Sequence, residues 1–475
     1  MHHISDLRQY RYCPRLYWLK QHQESSANFA FVQMISSMQQ ALIEKLQVKD
    51  AVHGFRGMQS TDSLELFNQH EWAFNLRFEA EGLRVKVSAL HHTQEEITLY
   101  FTSMASLPKI EDSNYYGLVL SVLEKNNIKP SQVIVMYFDK DYRRQKDLDV
   151  QACFKLSSRF LKPSGFDQGD ILSISSKRIQ AYHEDILQMD RIKTMDEYPY
   201  QLEDCAYQNK CESFGQCFPQ QVQAMSSEHV LSHKLRQVLE NPEVDDALHP
   251  LSRSDYAQIQ AHQLNGRFVD HLSLTHWLKQ FEGQRISFVD FEWDTYGIPP
   301  YEGMRPFDVL PFQFSMHSLD DGKLIHQEFL GQGDCREDFI QSFLKCLPKE
   351  GLILAYNAFG AEVIRLQHLG DQFPHYKEAL DQVIARFVDL AQVFVGGTVY
   401  DVKMKGSFSL KNLVLAIDPE LSYEKLAISH GIDAVLHYRT LQDDESDEPK
   451  RQALLSYCHM DTLAMVKVFE WLKTI

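Results

Sequence analysis

The sequence predicts an α/β protein, and two observations support this fold class. In the second half, apolar strand-like segments alternate with amphipathic helical segments, which is typical of a sheet with helices on its faces. In the first half, strand-like stretches lie between amphipathic helices. The 475 residues are enough for two or three domains, each with its own core. We expect an α/β domain over 1–219, a helical and polar connector over 220–283, and a second α/β domain over 284–475.

The elements of the first domain follow from capping, periodicity and proline. Ser5 is expected to cap a helix that runs to Lys20 with a break at Pro14. An amphipathic helix is expected over 29–46, and two more over 115–125 and 171–188. Strands are expected over 72–78, 83–90, 96–102 and 132–138.

The second domain shows a more regular alternation. Apolar strands are expected over 286–292, 311–317, 324–329 and 352–356. Helices are expected over 337–347, 362–369 and 376–386, and the last helix over 449–473 is long and amphipathic. This order predicts a sheet whose first strand comes early and whose last helix closes the domain.

Composition excludes several classes of protein. The net charge of −17 argues against a protein that coats nucleic acid non-specifically. No apolar run approaches the roughly 18–20 residues of a membrane helix, so no membrane partner is expected. The first ten residues lack an apolar signal core. We therefore expect a cytoplasmic protein, in which the eight cysteines do not form disulfides.

Two short acidic strings carry the strongest chemical signal. Asp290 and Glu292 are two residues apart on an expected strand, so their carboxylates leave the same face. Tyr457 and Asp461 are four residues apart on the last helix and also share a face. Three carboxylates and a phenol in one place suit two hard divalent ions and a positioned water, which is the equipment for two-metal phosphodiester cleavage.

These strings resemble the first and third motifs of the RNase H-like 3′–5′ exonucleases of the DEDD type, in the variant called DEDDy. The resemblance covers about 284–475 and includes the segment 407–413, which opens a late helix in that family. It implies two Mg²⁺ or Mn²⁺ ions held by Asp290, Glu292 and Asp461, with Tyr457 orienting the water. Asp389 resembles an acidic position that does not bind metal in that family.

The second motif departs from the family pattern. In the string Ala355-Tyr-Asn-Ala-Phe-Gly-Ala-Glu362, the family's acid would fall at Ala361, and Glu362 comes one residue late. Two interpretations stay open. Glu362 is either the fourth metal ligand on a loop with one extra residue, or an ordinary acid favoured by the dipole of a helix N-terminus.

Four cysteines form a second constellation. Cys13 stands alone near the start, and Cys205, Cys211 and Cys217 follow with five residues between neighbours. Four thiolates hold either Zn²⁺ or an iron–sulfur cluster, and spacing does not choose between them. With the opening string 9–18, this pattern resembles RecB-like PD-(D/E)XK nucleases that carry an iron–sulfur cluster. The resemblance implies a structural [4Fe–4S] cluster on these four residues, with Zn²⁺ as the alternative.

The catalytic residues of that nuclease family are missing. Ser88 stands where an Asp is expected, and 98–103 has no Glu-x-Lys. We therefore expect a degenerate domain that binds rather than cuts. Basic residues of this half either contact phosphates or form a solvated face; they are Arg11, Arg15, Arg143, Arg144 and Lys146.

Both halves together resemble a bacterial family of unknown function that joins a RecB-like region to a DEDD exonuclease region. Further matching strings lie at 298–306, 311–315 and 457–465. The expected function is a metal-dependent 3′–5′ exonuclease on single-stranded DNA or RNA. The alternative is a catalytically weak nucleic-acid-binding or scaffold protein stabilised by the cluster. A redox-responsive regulator is a third reading, and the sequence names no protein partner.

Overall fold

The computed structural model describes residues 1–22, 29–178, 181–198, 211, 213–217, 235, 251–320, 322–421, 423, 426–428, 431–443 and 446–475. The chain forms two compact units. The first unit contains 1–217 and 296–307, and the second contains 218–295 and 308–475. The fold is mixed α/β, as the sequence predicts.

The first unit is built around a six-stranded sheet of order β2-β3-β6-β7-β8-β9. Its strands are β2 (Val52–His53), β3 (Trp72–Phe74), β6 (Ala89–His92), β7 (Ile97–Thr102), β8 (Gln132–Phe138) and β9 (Phe154–Ser157). A three-stranded sheet of order β1-β5-β4 combines β1 (His2–His3), β4 (Arg77–Ala80) and β5 (Leu83–Lys86). A hairpin pairs β10 (Arg159–Leu161) with β11 (Asp167–Asp170).

The helices of the first unit are α1 (Ile4–Tyr12), α2 (Pro14–His22), α3 (Phe29–Lys45), α4 (Ser60–Gln69), α5 (Ser113–Lys125), α6 (Val150–Cys153), α7 (Ile171–Ser176), α8 (His183–Lys193) and α9 (Phe214–Cys217). Several of these helices contribute buried apolar residues to the cores of the unit, among them α5 with Val119 and Leu123. The break at Pro14 is confirmed, because Cys13 is extended between α1 and α2. Of the four expected strands, 132–138 has the observed bounds.

Three expected elements are divided. The strand expected over 72–78 ends as β3 at Phe74, and its last two residues, Arg77 and Phe78, belong to β4 of the other sheet. The expected strand over 83–90 splits at Val87 and Ser88 into β5 and β6, which belong to different sheets. The expected helix over 171–188 splits into α7 and α8. The latter two stretches are continuously amphipathic in sequence, and a local pattern does not show where the chain turns.

The second unit has a five-stranded sheet of order β15-β14-β13-β16-β17. The strands are β13 (Ile286–Thr295), β14 (Val309–Asp320), β15 (Lys323–Leu330), β16 (Leu352–Ala355) and β17 (Phe387–Asp389). The first three form an antiparallel meander, and β16 and β17 run parallel to β13. A separate pair joins β12 (Arg267–Val269) to β18 (Val399–Asp401), and the sequence analysis did not predict β12.

Helices cover this sheet and flank it. They are α10 (Arg253–Gln263), α11 (His271–Lys279), α12 (Arg336–Cys346), α13 (Glu362–Gln372), α14 (Lys377–Ile384), α15 (Gln392–Val395), α16 (Leu410–Ile417), α17 (Gly431–Asp443) and α18 (Glu448–Leu472). One apolar core packs β13, β14 and β16 against α12 to α14. No helix among the described residues has the length and apolar character that crossing a membrane requires.

The ladder between β13 and β14 contains a bulge. Glu292 pairs with Gln313, but the next residue, Trp293, pairs with Pro311, so Phe312 is the extra residue. The ring of Phe312 stacks on Tyr438 of α17, with ring centroids 3.8 Å apart. The bulge therefore fixes α17 beside the strand that carries the acidic pair.

Candidate metal centre

The central strand places Asp290 and Glu292 on one face of the sheet. They pair across β14 with Ser315 and Gln313, whose side chains therefore point to the same face. The last helix lies over this face, because Gln313 donates from Nε2 to the carbonyl of Leu454 at 2.8 Å. A second bond joins the hydroxyls of Ser315 and Thr462 at 2.7 Å. These bonds set the register of α18 against β13.

That register brings Asp461 to the acidic pair. One carboxylate oxygen from each of Asp290, Glu292 and Asp461 lies within 4.8 Å of the other two. Glu292 and Asp461 are 9% and 8% exposed. Carboxylate oxygens grouped in this way are the ligands that Mg²⁺ and Mn²⁺ prefer, so the donor set fits these ions.

The charges of this group repel one another. Burial, followed by the charges of Asp461, Glu292 and Glu362, raises the pKa of Asp290 well above its usual range. Burial and the Asp461 charge do the same to the pKa of Glu292. Burial raises the pKa of Asp461 to about 6. A bound cation would relieve this repulsion.

Glu362 lies next to the group at the start of α13. Its carboxyl is 2% exposed, and its Oε2 atom has no hydrogen-bond partner. Burial raises its pKa to about 8. Among the described residues, Glu362 is outside the set of oxygens within 4.8 Å, although its charge acts on Asp290 and Glu292. An orphaned buried oxygen fits a ligand better than a solvated helix cap, and the ligand role stays a prediction.

Asp389 has a separate structural partner. Its Oδ1 atom accepts from the amide of Asn357 at 2.8 Å and from the amide of Ala391 at 3.0 Å. Asn357 has a positive φ of 63°, so this carboxylate holds a turn that leads to Glu362. Asp389 is thus engaged with the backbone, and its expected role as a neighbour rather than a ligand stays a prediction.

Tyr457 is buried beside the carboxylates and bonded to a lysine. Lys411 donates from Nζ to the hydroxyl oxygen of Tyr457 at 3.0 Å. The same ammonium lies 4.9 Å from the ring centroid of Tyr423 and 4.8 Å from that of Tyr457. Burial and the Asp461 charge raise the pKa of Tyr457, so the phenol keeps its proton.

Three residues beside the centre were missed by the sequence analysis. Tyr423 donates to Oδ1 of Asp461 at 2.7 Å, and Lys411 lowers the pKa of both Glu292 and Asp461. The thiol of Cys458 lies 3.3 Å from Oδ2 of Asp290. Lys411 lies in the segment 407–413, which the sequence analysis compared with the exonucleases. No sequence pattern indicated Tyr423.

Helix α17 contacts strand β13 at two acidic residues, Glu292 and Asp294. A Cβ at Gly431, its first residue, would lie 4.0 Å from Oε2 of Glu292, so the positive end of the helix approaches that carboxylate. Further along, Arg439 binds both oxygens of Asp294 at 2.7 Å. Asp294 is therefore neutralised by a guanidinium, whereas among the described residues no ion pair of this kind involves Asp290 or Glu292.

The cysteines of the first unit also converge in part. The thiols of Cys211 and Cys13 act electrostatically on Cys217, whose pKa is raised mainly by burial and lowered by Arg15. The amide of Leu16 donates to the sulfur of Cys13 at 3.4 Å. Cys205 lies outside the described residues. The electrostatic interaction of three thiols and an amide donor to one sulfur are compatible with a thiolate-bound cofactor, but these thiols are not among the described groups whose ligand atoms lie within 4.8 Å of one another.

The basic residues of the first unit are mostly engaged within the protein. Arg11 donates to Asp185 at 2.8 Å, and Arg144 donates to the carbonyl of Pro299 at 2.9 Å. Arg143 donates to the carbonyl of Gly303 at 3.4 Å. Arg15 lies over the Trp18 ring. These contacts favour structural roles over the phosphate contacts that the sequence suggested.

Comparisons with known proteins give a match to a family model over part of the chain and similarity to solved structures. Residues 287–409 match a family model described as "Domain of unknown function (DUF2779)". No curated protein matches the chain. A family B DNA polymerase from the hyperthermophilic archaeon Pyrobaculum calidifontis is similar over 39% of this chain, with 13% identity and a TM-score of 0.28. The match covers 24% of the polymerase chain, so this chain spans about a quarter of its length. The second unit therefore carries a region similar to a family of unknown function.

Proposed function

We propose that the second unit is a metal-dependent 3′–5′ exonuclease of the RNase H-like, DEDDy type that acts on single-stranded nucleic acid. The observation that carries the proposal is the meeting of Asp290 and Glu292 with Asp461, within 4.8 Å. A central strand and a final helix, distant in sequence, supply these ligands to one face. Tyr457 completes the pattern that the resemblance implies.

The carboxylates would hold two Mg²⁺ or Mn²⁺ ions, with Glu362 as the fourth ligand. When bound, such ions activate a water and stabilise the leaving oxygen of a phosphodiester. The residues themselves provide a buried, negatively charged pocket whose repulsion makes cation binding favourable. Tyr423 orients Asp461 by donating to its Oδ1 atom, which leaves Oδ2 for an ion.

Tyr457 would position the attacking water. Because Lys411 donates to the phenol oxygen, the phenol proton is free to point elsewhere. The raised pKa of Tyr457 keeps that proton in place at neutral pH, so the residue donates a hydrogen bond and does not act as a base. Lys411 is therefore a positioning residue that acts through Tyr457.

The direct test is an end-labelled nuclease assay. Single-stranded DNA and RNA, each labelled at the 3′ or the 5′ end, are incubated with the anaerobically purified protein in Mn²⁺, Mg²⁺ or EDTA. We expect 5′-labelled strands to give a descending ladder and 3′-labelled strands to release labelled mononucleotide at once. The control variant Asp381→Asn, on an exposed position of α14, should cleave normally. Cleavage in EDTA, or shortening from the 5′ end, would contradict the proposal.

A second candidate function is supported by one observation. Among the described residues, Glu362 lies outside the group of oxygens within 4.8 Å, and a site with three ligands would hold one ion better than two. Such a protein would bind nucleic acid or act as a scaffold with weak turnover. Salt-sensitive binding without cleavage in Mn²⁺ would favour this function.

We further propose that the first unit is a degenerate RecB-like domain, in which Cys13, Cys205, Cys211 and Cys217 hold a [4Fe–4S] cluster. The support is the electrostatic interaction of Cys217 with Cys13 and Cys211, which brings the start of the unit and its end into one environment. Such a cluster would link α1 and α2 to the segment around α9. Its role would be structural, since strands β5, β6 and β7 carry no acidic residue and therefore no Glu-x-Lys.

Anaerobically purified protein should be brown, with absorption near about 400 nm from the cluster. The variant Cys211→Ser should lose this band and destabilise the first unit, while the exonuclease of the second unit persists. The control Cys346→Ser changes a partly buried thiol of the second unit and should keep the band. Colourless protein with stoichiometric zinc on the four cysteines would contradict the iron–sulfur assignment.

A further inference from the structure

Three histidines form a cluster outside the acidic centre. His317 on β14 and His326 on β15 are directly opposite each other in the antiparallel ladder, so both rings point to the same face. His459 reaches this face from α18. One ring nitrogen of each histidine lies within 4.8 Å of one nitrogen of each of the others. No part of the proposed exonuclease mechanism uses these rings.

The distances are close to those of a metal site. Nε2 of His326 and Nδ1 of His459 are 3.2 Å apart. Two nitrogens bound to one tetrahedral Zn²⁺ at about 2.0–2.1 Å are separated by roughly 3.3–3.4 Å. The ring centroids are 4.6 Å apart for His317 and His326, and 4.8 Å apart for His317 and His459. The third ring is thus near the first two.

The surroundings favour neutral imidazoles with available lone pairs. His317 is 3% exposed, and burial lowers its pKa to about 3. Burial lowers the pKa of His326 to about 4. Thr462 bonds to Nδ1 of His317 at 2.8 Å and orients that ring. Ser315 bonds to Nε2 of His326 at 3.1 Å, so an ion bound at this nitrogen would replace that hydrogen bond. Glu328 has an oxygen 3.8 Å from Nε2 of His326 and offers a further oxygen ligand nearby.

We propose that His317, His326 and His459 form a binding site for Zn²⁺ or a similar transition-metal ion. Neutral imidazole is a preferred ligand for such ions, whereas the acidic centre suits harder ions. The site would join the edge strand β15 and its neighbour β14 to the last helix. Because His459 is two residues before Asp461, the ion would help to fix α18 where it supplies the acidic centre.

The test measures zinc directly, and its readout does not depend on nuclease activity. Full-length protein is equilibrated with buffered Zn²⁺, and bound zinc is counted per chain by elemental analysis. Compared with wild type, His326→Ala and His459→Gln should each lose one equivalent of zinc, with an affinity at least about 100-fold weaker. The controls His375→Ala, an exposed histidine 61% accessible, and Asp290→Asn should keep that equivalent.

A thermal melt gives an independent readout. Zinc should raise the melting temperature of wild type and of His375→Ala, but not that of His326→Ala or His459→Gln. If the zinc content and this zinc-dependent shift are the same in the wild type and in both cluster variants, the rings are a polar network only and the proposal is wrong. If Asp290→Asn alone removes the equivalent, the ion belongs to the acidic centre. The zinc content and the melting temperature do not depend on nuclease activity. If the end-label assay shows no cleavage by the wild type, the exonuclease proposal fails and the zinc proposal is still tested by these two measurements.

Discussion

Replacing Asp290 with asparagine should abolish shortening from the 3′ end and at the same time stabilise the metal-free protein. The carboxylate is held against Glu292 and Asp461 with its pKa raised by burial and by their charges, so folding carries a cost that the amide does not. Removing one charge at such distances is worth roughly 1–3 kcal/mol. Nuclease activity should fall at least about 100-fold, because mutation of residues that only hydrogen-bond to a metal ligand already lowers metal affinity or activity by about 10–100-fold.

The matched control lies on the same strand. Asp294 is 2% exposed and binds both guanidinium nitrogens of Arg439, so it has the cation that Asp290 lacks. Asp294→Asn should therefore destabilise the protein by about 1–3 kcal/mol, the opposite sign. Urea unfolding of metal-free samples at pH 8, followed by circular dichroism, measures both variants. If both substitutions change the free energy of unfolding in the same direction, or if Asp290→Asn keeps full nuclease activity, this account of the centre is wrong.

The metal-free protein should lose stability as the pH rises from 6.5 to 8. Burial raises the pKa of Glu362 to about 8, above its ordinary value of 4.5, so the folded state binds more protons than the unfolded state over this range. Stability that is present at low pH is then lost as the pH rises through the folded pKa. Glu362 alone contributes about 2 kcal/mol over these 1.5 pH units.

The pH window avoids the opposing effect of the histidine cluster. His317 and His326 have lowered pKa values, about 3 and about 4, so they add stability only while the pH rises to about 6.5. Urea midpoints at pH 6.5, 7.2 and 8 measure the slope, and Glu362→Gln should flatten it. Mn²⁺ should stabilise the protein more at pH 8 than at pH 6.5. Stability that is constant or rises over this window in metal-free protein would contradict the raised pKa.

Local periodicity was enough to predict part of the centre. Asp290 and Glu292 share a face because strands alternate, and Tyr457 and Asp461 share one because helices repeat every 3.6 residues. Both elements exist with nearly the expected bounds. The meeting of the two pairs was expected only through the resemblance, since a pattern within one element does not determine how distant elements pack.

The residues that were missed depend on such packing. Tyr423 reaches Asp461 across 38 residues of sequence, and Cys458 reaches Asp290 across 168. The neutralisation of Asp294 by Arg439 was equally invisible, because three acids at alternate positions look equivalent along a strand. The histidine cluster has the same origin: β14, β15 and α18 each supply one ring. Long-range contacts of this kind produce no characteristic residue spacing in the sequence.

The bulge at Phe312 makes the length of β14 as important as its composition. Deleting this residue would restore a regular ladder but remove the ring that stacks on Tyr438 of α17. The pairs on either side of the bulge, Glu292 with Gln313 and Trp293 with Pro311, would be kept, and paired residues share a face, so the alternation of polar and apolar positions would not change. The extra residue therefore serves the contact with α17 rather than the ladder, and its removal should loosen that helix while the acidic pair stays on its face.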